Sequence, residues 1–437
     1  MGYLIGIKKE KTRDIFNVLM TGANFILITS LYNTVANNEI RFTLPNFMGF
    51  GLSLSLDMFQ YVFVWLVSLI WLLTTVYSIR YMSWYDKKNR FYFFLMLTYS
   101  STLGIFLSYN LINIFIFFEI MSLTSYPIII HDEDDFAQEA GQTYLVMTVG
   151  GGLVLLMGLF LLYSYTNTFE MEEIKIALQN LGKIKYVIIS FIIFGFGVKA
   201  GMVPIHIWLP KAHPAAPAPA SAILSGVLLK TGIYGIFVTV DLFPEDMYIS
   251  ATLLILGFLT MFLGGFFALF QRNIKTTLAY SSMSQMGYII VSIGLIGILG
   301  KHKDIAVYGF LLHVINHMIF KTLLFMGAGI IYMNIHKLNL DDMRGYGKDK
   351  ILFKLFFFTG ACGLMGIPGF SGFISKNMIH EALAEAVHLH GGFWLYFGEI
   401  IFVLSSAFTV TYMLNLFIEI FIEKPIKQNI MNLIEWE

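Results

Sequence analysis

The chain has 437 residues, of which 57% are hydrophobic and 13% are charged, and that charged fraction is about half of what a soluble domain carries. Its 28 basic and 28 acidic residues balance, so net charge indicates no polyanionic partner, and there is no basic block of the kind that binds nucleic acid. A single cysteine, Cys362, excludes an internal disulfide, Cys-ligated iron–sulfur clusters and thiolate metal cages.

The chain opens with Met1 and a polar run, Lys8–Arg13, and lacks the apolar core and cleavage site of a signal peptide. Beyond this run, twelve segments carry the roughly 20 largely apolar residues that a spanning helix needs. In chain order they are 15–36, 58–80, 91–108, 110–130, 142–165, 184–203, 218–240, 248–270, 277–299, 306–331, 352–388 and 394–422. The sequence therefore predicts an all-α polytopic membrane protein with about twelve transmembrane helices.

Two of these segments carry helix-breaking residues. The sixth runs into Gly201 and Pro204, and the eleventh, which is too long for one simple span, contains Gly366, Pro368 and Gly369. Proline and glycine interrupt the hydrogen-bond ladder of a helix. We therefore expect both helices to be broken at membrane depth, which is tolerated only inside protein or beside a water-filled cavity.

The distribution of lysine and arginine tests the span count, because loops on the inner side of a membrane are enriched in both. With the N-terminus inside, 18 of these residues fall in inside segments, 6 in outside segments and 4 within spans. The loop at 131–135 is acidic and yet falls inside, although acidic residues weigh little in this rule. The excess supports twelve spans with the N-terminus inside.

Five ionisable residues lie within the predicted spans, and each costs roughly 2.5–3.5 kcal/mol at mid-bilayer on insertion scales. They are Glu119, Lys199, Lys230, Lys321 and Lys376. A lysine near a helix end can reach the interface with its long side chain, and a Glu–Lys pair can serve packing alone. A buried lysine also shifts its pKa readily, so a chain of such groups can relay protons.

A second polar stripe lies in the tenth span, where His313, His317 and Lys321 follow one another at intervals of four residues and share one helix face. This face is either a polar seam satisfied by neighbouring helices or a hydrated stripe that passes protons, since histidine titrates near neutral pH. Haem ligation is a third interpretation, which requires histidines on facing helices at matching depth.

The layout predicts two inverted repeats. Spans three to seven and eight to twelve form sets of five, each with its broken helix in fourth place, and transporters built from inverted repeats place broken helices at corresponding positions. The predicted domains are N-terminal helices at 1–90, a first half-channel at 91–240, a second half-channel at 241–423 and a tail at 424–437.

Several motifs resemble the antiporter-like subunits shared by respiratory complex I, Mrp-type cation/proton antiporters and group 4 membrane-bound [NiFe] hydrogenases. The matching segments keep the family's order and are 118–126, 198–217, 221–232, 274–287, 317–321 and 369–376. The resemblance implies that Glu119 pairs with Lys199 in the first half-channel. It also implies that Lys230, His317 and Lys321 continue along a central axis, with Lys376 in the second half-channel.

The chain departs from that family in three respects. Members usually have fourteen spans, so the first and last are expected to be absent, and residues 1–14 are expected to form the loop after the missing first helix. A basic residue common near the start of the fifth span is lacking in the run 141–144, and Asn273 stands where an acidic residue often occurs.

The function implied by the resemblance is proton or sodium translocation by a non-catalytic subunit of a redox-driven complex, of the hydrogenase or complex I type. Such a subunit holds no cofactor. Its partners are other membrane subunits and a peripheral arm with iron–sulfur clusters, in the cytoplasmic membrane of a prokaryote. The alternatives are a subunit of an Mrp-type antiporter without redox chemistry and an integral electron carrier with haem.

Overall fold

A computed structural model describes residues 1–45, 51–177, 181–243 and 246–424, and the predicted tail lies outside this part apart from residue 424. The described chain is helical except for one two-stranded sheet. The helices up to the first interruption are α1 Gly2–Lys8, α2 Glu10–Ser30, α3 Tyr32–Asn37, α4 Met58–Tyr81, α5 Lys88–Leu107, α6 Leu111–Ile129, α7 Asp135–Thr166, α8 Met171–Ala177 and α9 Ile184–Ala200.

The later helices are α10 Trp208–Ala215, α11 Ala218–Ile223, α12 Leu229–Asp241, α13 Met247–Leu269, α14 Ile274–Leu299, α15 Asp304–Ile335, α16 Leu340–Met343, α17 Ile351–Met365, α18 Ser371–His390 and α19 Phe393–Phe421. A π-helical turn, Leu224–Leu228, joins α11 to α12. Ten helical segments of the described chain are long and apolar enough to cross a membrane. The protein is thus an all-α polytopic membrane protein, as predicted.

The number of spans stays a prediction, because the two interrupted segments are made of shorter helices. Helix α9 has 17 residues and α17 has 15, against the roughly 20 of a simple span. Both interruptions are present. The first lies between Ala200 and Trp208, and the second between Met365 and Ser371. Whether the two sets of helices are inverted repeats also stays a prediction.

The N-terminal region differs from the expectation in two places. Residues 1–14 are helical, in α1 and the start of α2, where a loop was predicted. An antiparallel pair of strands, β1 Ile40–Leu44 and β2 Leu52–Leu56, joins the first two long helices. The alternation of serine and leucine along β2 is the period-two pattern of a half-buried strand, which the search for 20-residue spans overlooks.

The chain divides into two compact units. The first comprises Met1–Ala200, Ala215–Ile223 and Val227–Pro244, and the second comprises Gly201–Pro214, Leu224–Gly226 and Glu245–Glu437. In the first unit, α9 packs against α6, α7 and α12. In the second unit, α14 packs against α13, α15 and α18.

Glycines allow the closest helix contacts in the second unit, as is common where membrane helices pack. A Cβ atom built on Gly287 of α14 would lie 2.2 Å from the backbone nitrogen of Met261 in α13, and one on Gly264 would lie 2.5 Å from that of Ser284. The two backbones therefore touch along this seam, which fixes α14 and the polar side chains that it carries.

Candidate functional site

Lys199 lies in the last turn of α9 and is 1% exposed. Its ammonium group donates hydrogen bonds to the hydroxyl of Tyr144, at 2.5 Å, and to that of Ser122, at 3.3 Å. The ammonium also lies 4.8 Å from the centre of the Tyr144 ring, within the range of a cation–π interaction. We call Lys199, Tyr144, Ser122, Ser125 and Glu119 the Lys199 cluster.

Tyr144 links the lysine to two serines of α6. Its hydroxyl is 2.5 Å from that of Ser125 and 3.3 Å from the carbonyl oxygen of Ser122. Each of these hydroxyls both donates and accepts. The ammonium, the phenol and the serine hydroxyls therefore form a connected hydrogen-bond network inside the first unit.

Glu119 lies one turn before Ser122 on α6, and its Oε1 atom is buried without a hydrogen-bond partner in the described chain. A Cβ atom on Gly152 of α7 would lie 2.2 Å from that oxygen, so the carboxylate packs directly against the backbone of α7 at this glycine. The carboxylate and Lys199 interact electrostatically. The structure thus brings together the two residues predicted to pair, with Tyr144 and Ser122 taking the hydrogen bonds of the lysine.

Lys230 is fully buried and is the second residue of α12, which follows the π-helical turn. Its helix packs closely on the end of α9, since a Cβ atom on Gly232 would lie 2.5 Å from the backbone nitrogen of Ala200. Lys230 and Lys199 are therefore on adjoining helices of the same unit, and snorkelling to the membrane surface does not account for a side chain with no exposed area.

In the second unit, His313 of α15 bridges two helices. Its Nδ1 atom is 3.0 Å from the hydroxyl of Ser375 in α18, and its Nε2 atom is 3.0 Å from the Oε1 atom of Gln285 in α14. Asn316 extends this connection, because its amide donates to the Ser375 hydroxyl at 3.1 Å and to the Ser371 carbonyl at 2.9 Å. The start of α18, just past the interruption, is thereby tied to α15.

Lys376 follows Ser375 and lies against the interruption itself. Its ammonium donates to the carbonyl oxygen of Met365, the last residue of α17, at 3.3 Å. It also lies 5.0 Å from the centre of the Tyr288 ring. A helix end leaves carbonyl groups without intrahelical partners, and here the buried lysine satisfies one of them.

Lys321 is fully buried and donates to the Leu278 carbonyl at 2.9 Å and to the Ser281 hydroxyl. Ser281 and Gln285 lie one turn apart on α14, so α14 meets both ends of the stripe formed by His313, His317 and Lys321. His317 is buried between them. The structure therefore agrees with a polar seam here, and its hydroxyl partners are also able to pass a proton.

The partners of the predicted residues were not singled out from the sequence. Tyr144 stands in the run 141–144. The sequence shows that this run lacks a basic residue, but it does not show that the phenol of Tyr144 lies beside Lys199 instead. Ser122 and Gln285 lie inside the recognised motifs, and Ser375 precedes Lys376. The sequence offered one signal for two of these partners, which is a nearby ionisable residue on the same helix. Ser122 lies three residues after Glu119, and Ser375 lies next to Lys376.

Comparison with known proteins gives three kinds of match. Residues 108–408 match the family described as "NADH:quinone oxidoreductase/Mrp antiporter, TM". A Staphylococcus aureus (strain MSSA476) protein named as antiporter subunit mnhA2 is 35% identical over 395 residues, which are 86% of this chain and 48% of the relative. Hydrogenase-4 component B of Escherichia coli (strain K12) is 31% identical over 351 residues, which are 78% and 52% of the two chains. The chain thus spans about half the length of these relatives.

Two solved structures share the fold. A chain of the membrane-bound sulfane sulfur reductase, an archaeal respiratory membrane complex, superposes with a TM-score of 0.87 at 26% identity, over 98% of this chain and 70% of that one. A chain of the Mrp complex from Dietzia sp. DQ12-45-1b gives a TM-score of 0.83 at 23% identity, over 94% and 76% of the two chains.

Proposed function

The chain belongs to the NADH:quinone oxidoreductase/Mrp antiporter transmembrane family, and from this premise we propose that it carries protons or sodium ions across a membrane as a subunit of a larger complex. The observation that carries the proposal is the Lys199 cluster. Its lysine and glutamate are placed within electrostatic reach of each other, among hydroxyls that can pass a proton. Burying ionisable groups among apolar side chains is costly, and this cost favours a functional role for the cluster.

The chemistry follows from the charge of the pair. When Glu119 is ionised, its attraction holds the proton on Lys199, because an opposite charge nearby favours the charged form of each group. When the carboxylate is neutralised or turns away, the buried ammonium loses that support and gives up its proton, which passes through the hydrogen-bonded hydroxyls of Tyr144 and Ser122 to the next basic group of the relay. Lys230 in the first unit, and His313, His317, Lys321 and Lys376 in the second, are the further ionisable groups of the proposed relay.

Two kinds of membrane complex are candidates to contain this subunit, and we favour a redox-driven complex of the hydrogenase or complex I type. The likeness to a chain of an archaeal respiratory membrane complex over 98% of this chain supports it. In that setting, electrons pass through a peripheral arm with iron–sulfur clusters, while this chain holds no redox cofactor. The second candidate is a subunit of a cation/proton antiporter, which the relationship to antiporter subunit mnhA2 supports.

The membrane and its orientation are part of the proposal. We place the chain in the cytoplasmic membrane of a prokaryote, with the N-terminus inside, on the count of lysine and arginine in the predicted loops.

The test is ion transport by the complex in vesicles after replacement of Lys199 by alanine or Glu119 by glutamine. Each change removes one partner of the proposed pair, and we expect transport to fall at least about 100-fold, as is typical when a relay group with no substitute is lost. Transport is measured with a pH-sensitive dye and with ²²Na⁺, which also distinguishes the two ions.

Lys183→Ala and Glu173→Gln are matched controls, because both side chains are exposed on the same unit. They should leave transport unchanged. Normal transport by a Lys199→Ala complex that has assembled with all its subunits would refute the proposed relay.

A further inference from the structure

Helix α19 carries a buried carboxylate that the proposed relay does not use. Glu419 is 4% exposed, and it lies in the last turn of α19. Its Oε1 atom accepts hydrogen bonds from the Arg272 guanidinium at 3.3 Å and from the Asn415 amide at 3.2 Å. Its Oε2 atom is buried and has no hydrogen-bond partner among the described residues.

This carboxylate begins a line of polar side chains on one face of the helix. Tyr412, Asn415 and Glu419 are spaced by three and four residues, so they lie above one another. The Tyr412 hydroxyl is buried. The polar side chains that act on it belong to Thr409 of the same helix and to Ser281 and Gln285 of α14.

The line therefore reaches two members of the proposed relay. The Oε1 atom of Gln285 lies at hydrogen-bond distance, 3.0 Å, from the Nε2 atom of His313, and the Ser281 hydroxyl accepts a hydrogen bond from Lys321. The side chain of Gln285 also interacts with the Tyr412 hydroxyl. The Oε2 atom of Glu419, at one end of this line, has no hydrogen-bond partner among the described residues, although native structures satisfy nearly all such atoms with protein or ordered water.

A cavity lies along the same stretch of α19. It has a volume of about 370 Å³, and its polar lining comes from Gln271, Thr277, Thr411, Tyr412 and Asn415. At about 30 Å³ for each water in the liquid, it has room for roughly ten molecules. Most of the lining is apolar, so water there lies at the polar wall, where it reaches both the phenol of Tyr412 and the amide of Asn415.

We propose that Glu419 is the mouth of a hydrated passage that takes protons from the loop end of α19, through this cavity and past Tyr412, to Gln285 and His313. This inference rests on the proposed function, because it supplies the relay with protons. Arg272, whose side chain is 61% exposed, lies at the entrance beside the carboxylate.

Cysteine accessibility tests the passage without depending on ion transport. In a Cys362→Ser background, which removes the single native thiol, Asn415→Cys and Thr277→Cys place a thiol on the cavity wall. A membrane-impermeant, positively charged methanethiosulfonate is added to vesicles that contain the whole complex. Lys337→Cys, on an exposed loop, is the positive control, and Met283→Cys, fully buried in α14, is the negative control.

We expect both cavity thiols to react within about tenfold of the loop thiol and at least about 100-fold faster than the thiol at Met283, because only a hydrated thiol ionises and reacts. The reaction should occur from the side of the vesicle that the loop faces. Cavity thiols as slow as the one at Met283 would overturn the passage, whatever the outcome for Lys199.

Proton uptake by a complex that carries Glu419→Gln then tests whether Glu419 is the mouth of the passage. We expect proton uptake to fall about tenfold, since removing a group that delivers protons typically costs one to several orders of magnitude in rate, and Glu419→Asp should restore part of it. Glu423→Gln is the matched control, because that carboxylate lies one turn further on and pairs with Arg344. If Lys199→Ala abolishes transport while Glu419→Gln leaves it unchanged, the relay stands and the proposed mouth is wrong.

Discussion

At the scale of single residues, the feature that most affects the chemistry is the phenol of Tyr144. It occupies the part of α7 in which the resemblance led us to expect a basic residue, and it contacts the buried lysine through both its hydroxyl and its ring. A neutral hydroxyl that donates and accepts can pass a proton without adding a second positive charge. The missing basic residue therefore does not break the proposed relay.

Tyr144→Phe separates these two contacts. The ring stays beside Lys199 while the hydroxyl is lost, and removing a buried hydroxyl that bonds a charged group costs about 1.5–3 kcal/mol. We expect the transport rate to fall about 10-fold or more and its pH profile to shift, with subunit assembly unchanged. Tyr163→Phe, further along the same helix, is the control.

A Tyr144→Phe variant with normal transport and an unchanged pH profile would show that the phenol only fills space. The groups that face the hydroxyl are Lys199, Ser122 and Ser125, together with the carboxylate of Glu119. A shift in the profile therefore reports on this cluster.

A second residue-scale feature lies in the loop before α7, where the acidic run 131–135 disagrees with the lysine and arginine count. Glu133 forms ion pairs with Lys87 and Arg90, and these pairs lower the pKa of its exposed carboxyl to about 2. His131 is buried beneath them. Burial, and then the charge of Arg90, lower the pKa of its imidazole to about 4.

The loop should therefore weaken as the solution becomes acidic. Because the folded protein holds His131 neutral, its stabilising contribution is complete above about pH 6.5 and is lost as the pH falls towards 4, by up to about 3 kcal/mol. Glu133 acts only below about pH 4.5, so the window from 6.5 to 4.5 belongs to the histidine. We expect the melting temperature of His131→Gln to depend less on pH in this window than that of the native chain.

At the scale of helices, the sequence predicts the positions of the long apolar elements well, because a run of 20 apolar residues has one stable arrangement in a bilayer. The breaks after Ala200 and Met365 follow from Pro204, Gly366 and Pro368 in the same way. The strands β1 and β2 and the helical start of the chain were missed. Neither is long enough to be found by a search for spans, and both depend on packing against neighbours.

The helix pair α13 and α14 offers a prediction on stability. Gly287→Ala would place a methyl group 2.2 Å from a backbone nitrogen of Met261, which cannot move aside as a side chain would. We expect a loss of about 1–3 kcal/mol in stability, as for other overpacked contacts, measured as a lower melting temperature in detergent. Gly150→Ala is the control, because no atom lies within 4 Å of its added Cβ, and there the change should be neutral or stabilising.

The side-chain partners within the site lay beyond what the sequence predicts, for a physical reason. Lys199 and Tyr144 are 55 residues apart in the chain, and Lys321 and Ser281 are 40 apart. Such contacts depend on how each helix is rotated about its axis. In a helix that is apolar on all sides, the sequence contains little information on that rotation, so ionisable residues are easily found while the hydroxyls that serve them are not.

At the scale of the whole molecule, the proposed ion movement needs a driving reaction, and the related proteins include both an antiporter subunit and a hydrogenase component. Gentle purification through a tag on this chain should settle it. We expect the co-purifying subunits to include a peripheral protein with iron–sulfur clusters, seen as broad visible absorption and by iron analysis. Co-purification of membrane subunits alone, with no iron, would favour the antiporter instead.

The π-helical turn Leu224–Leu228 has a consequence for the lysine that follows it. Such a turn accommodates one more residue than an α-helical turn. Each residue accounts for about 100° of rotation in an α-helix. If the additional residue of this turn were accommodated beyond Lys230, that ammonium would rotate about a quarter of the way around α12 and face a different set of neighbours. A single span would then have two conformations that differ by one small rearrangement.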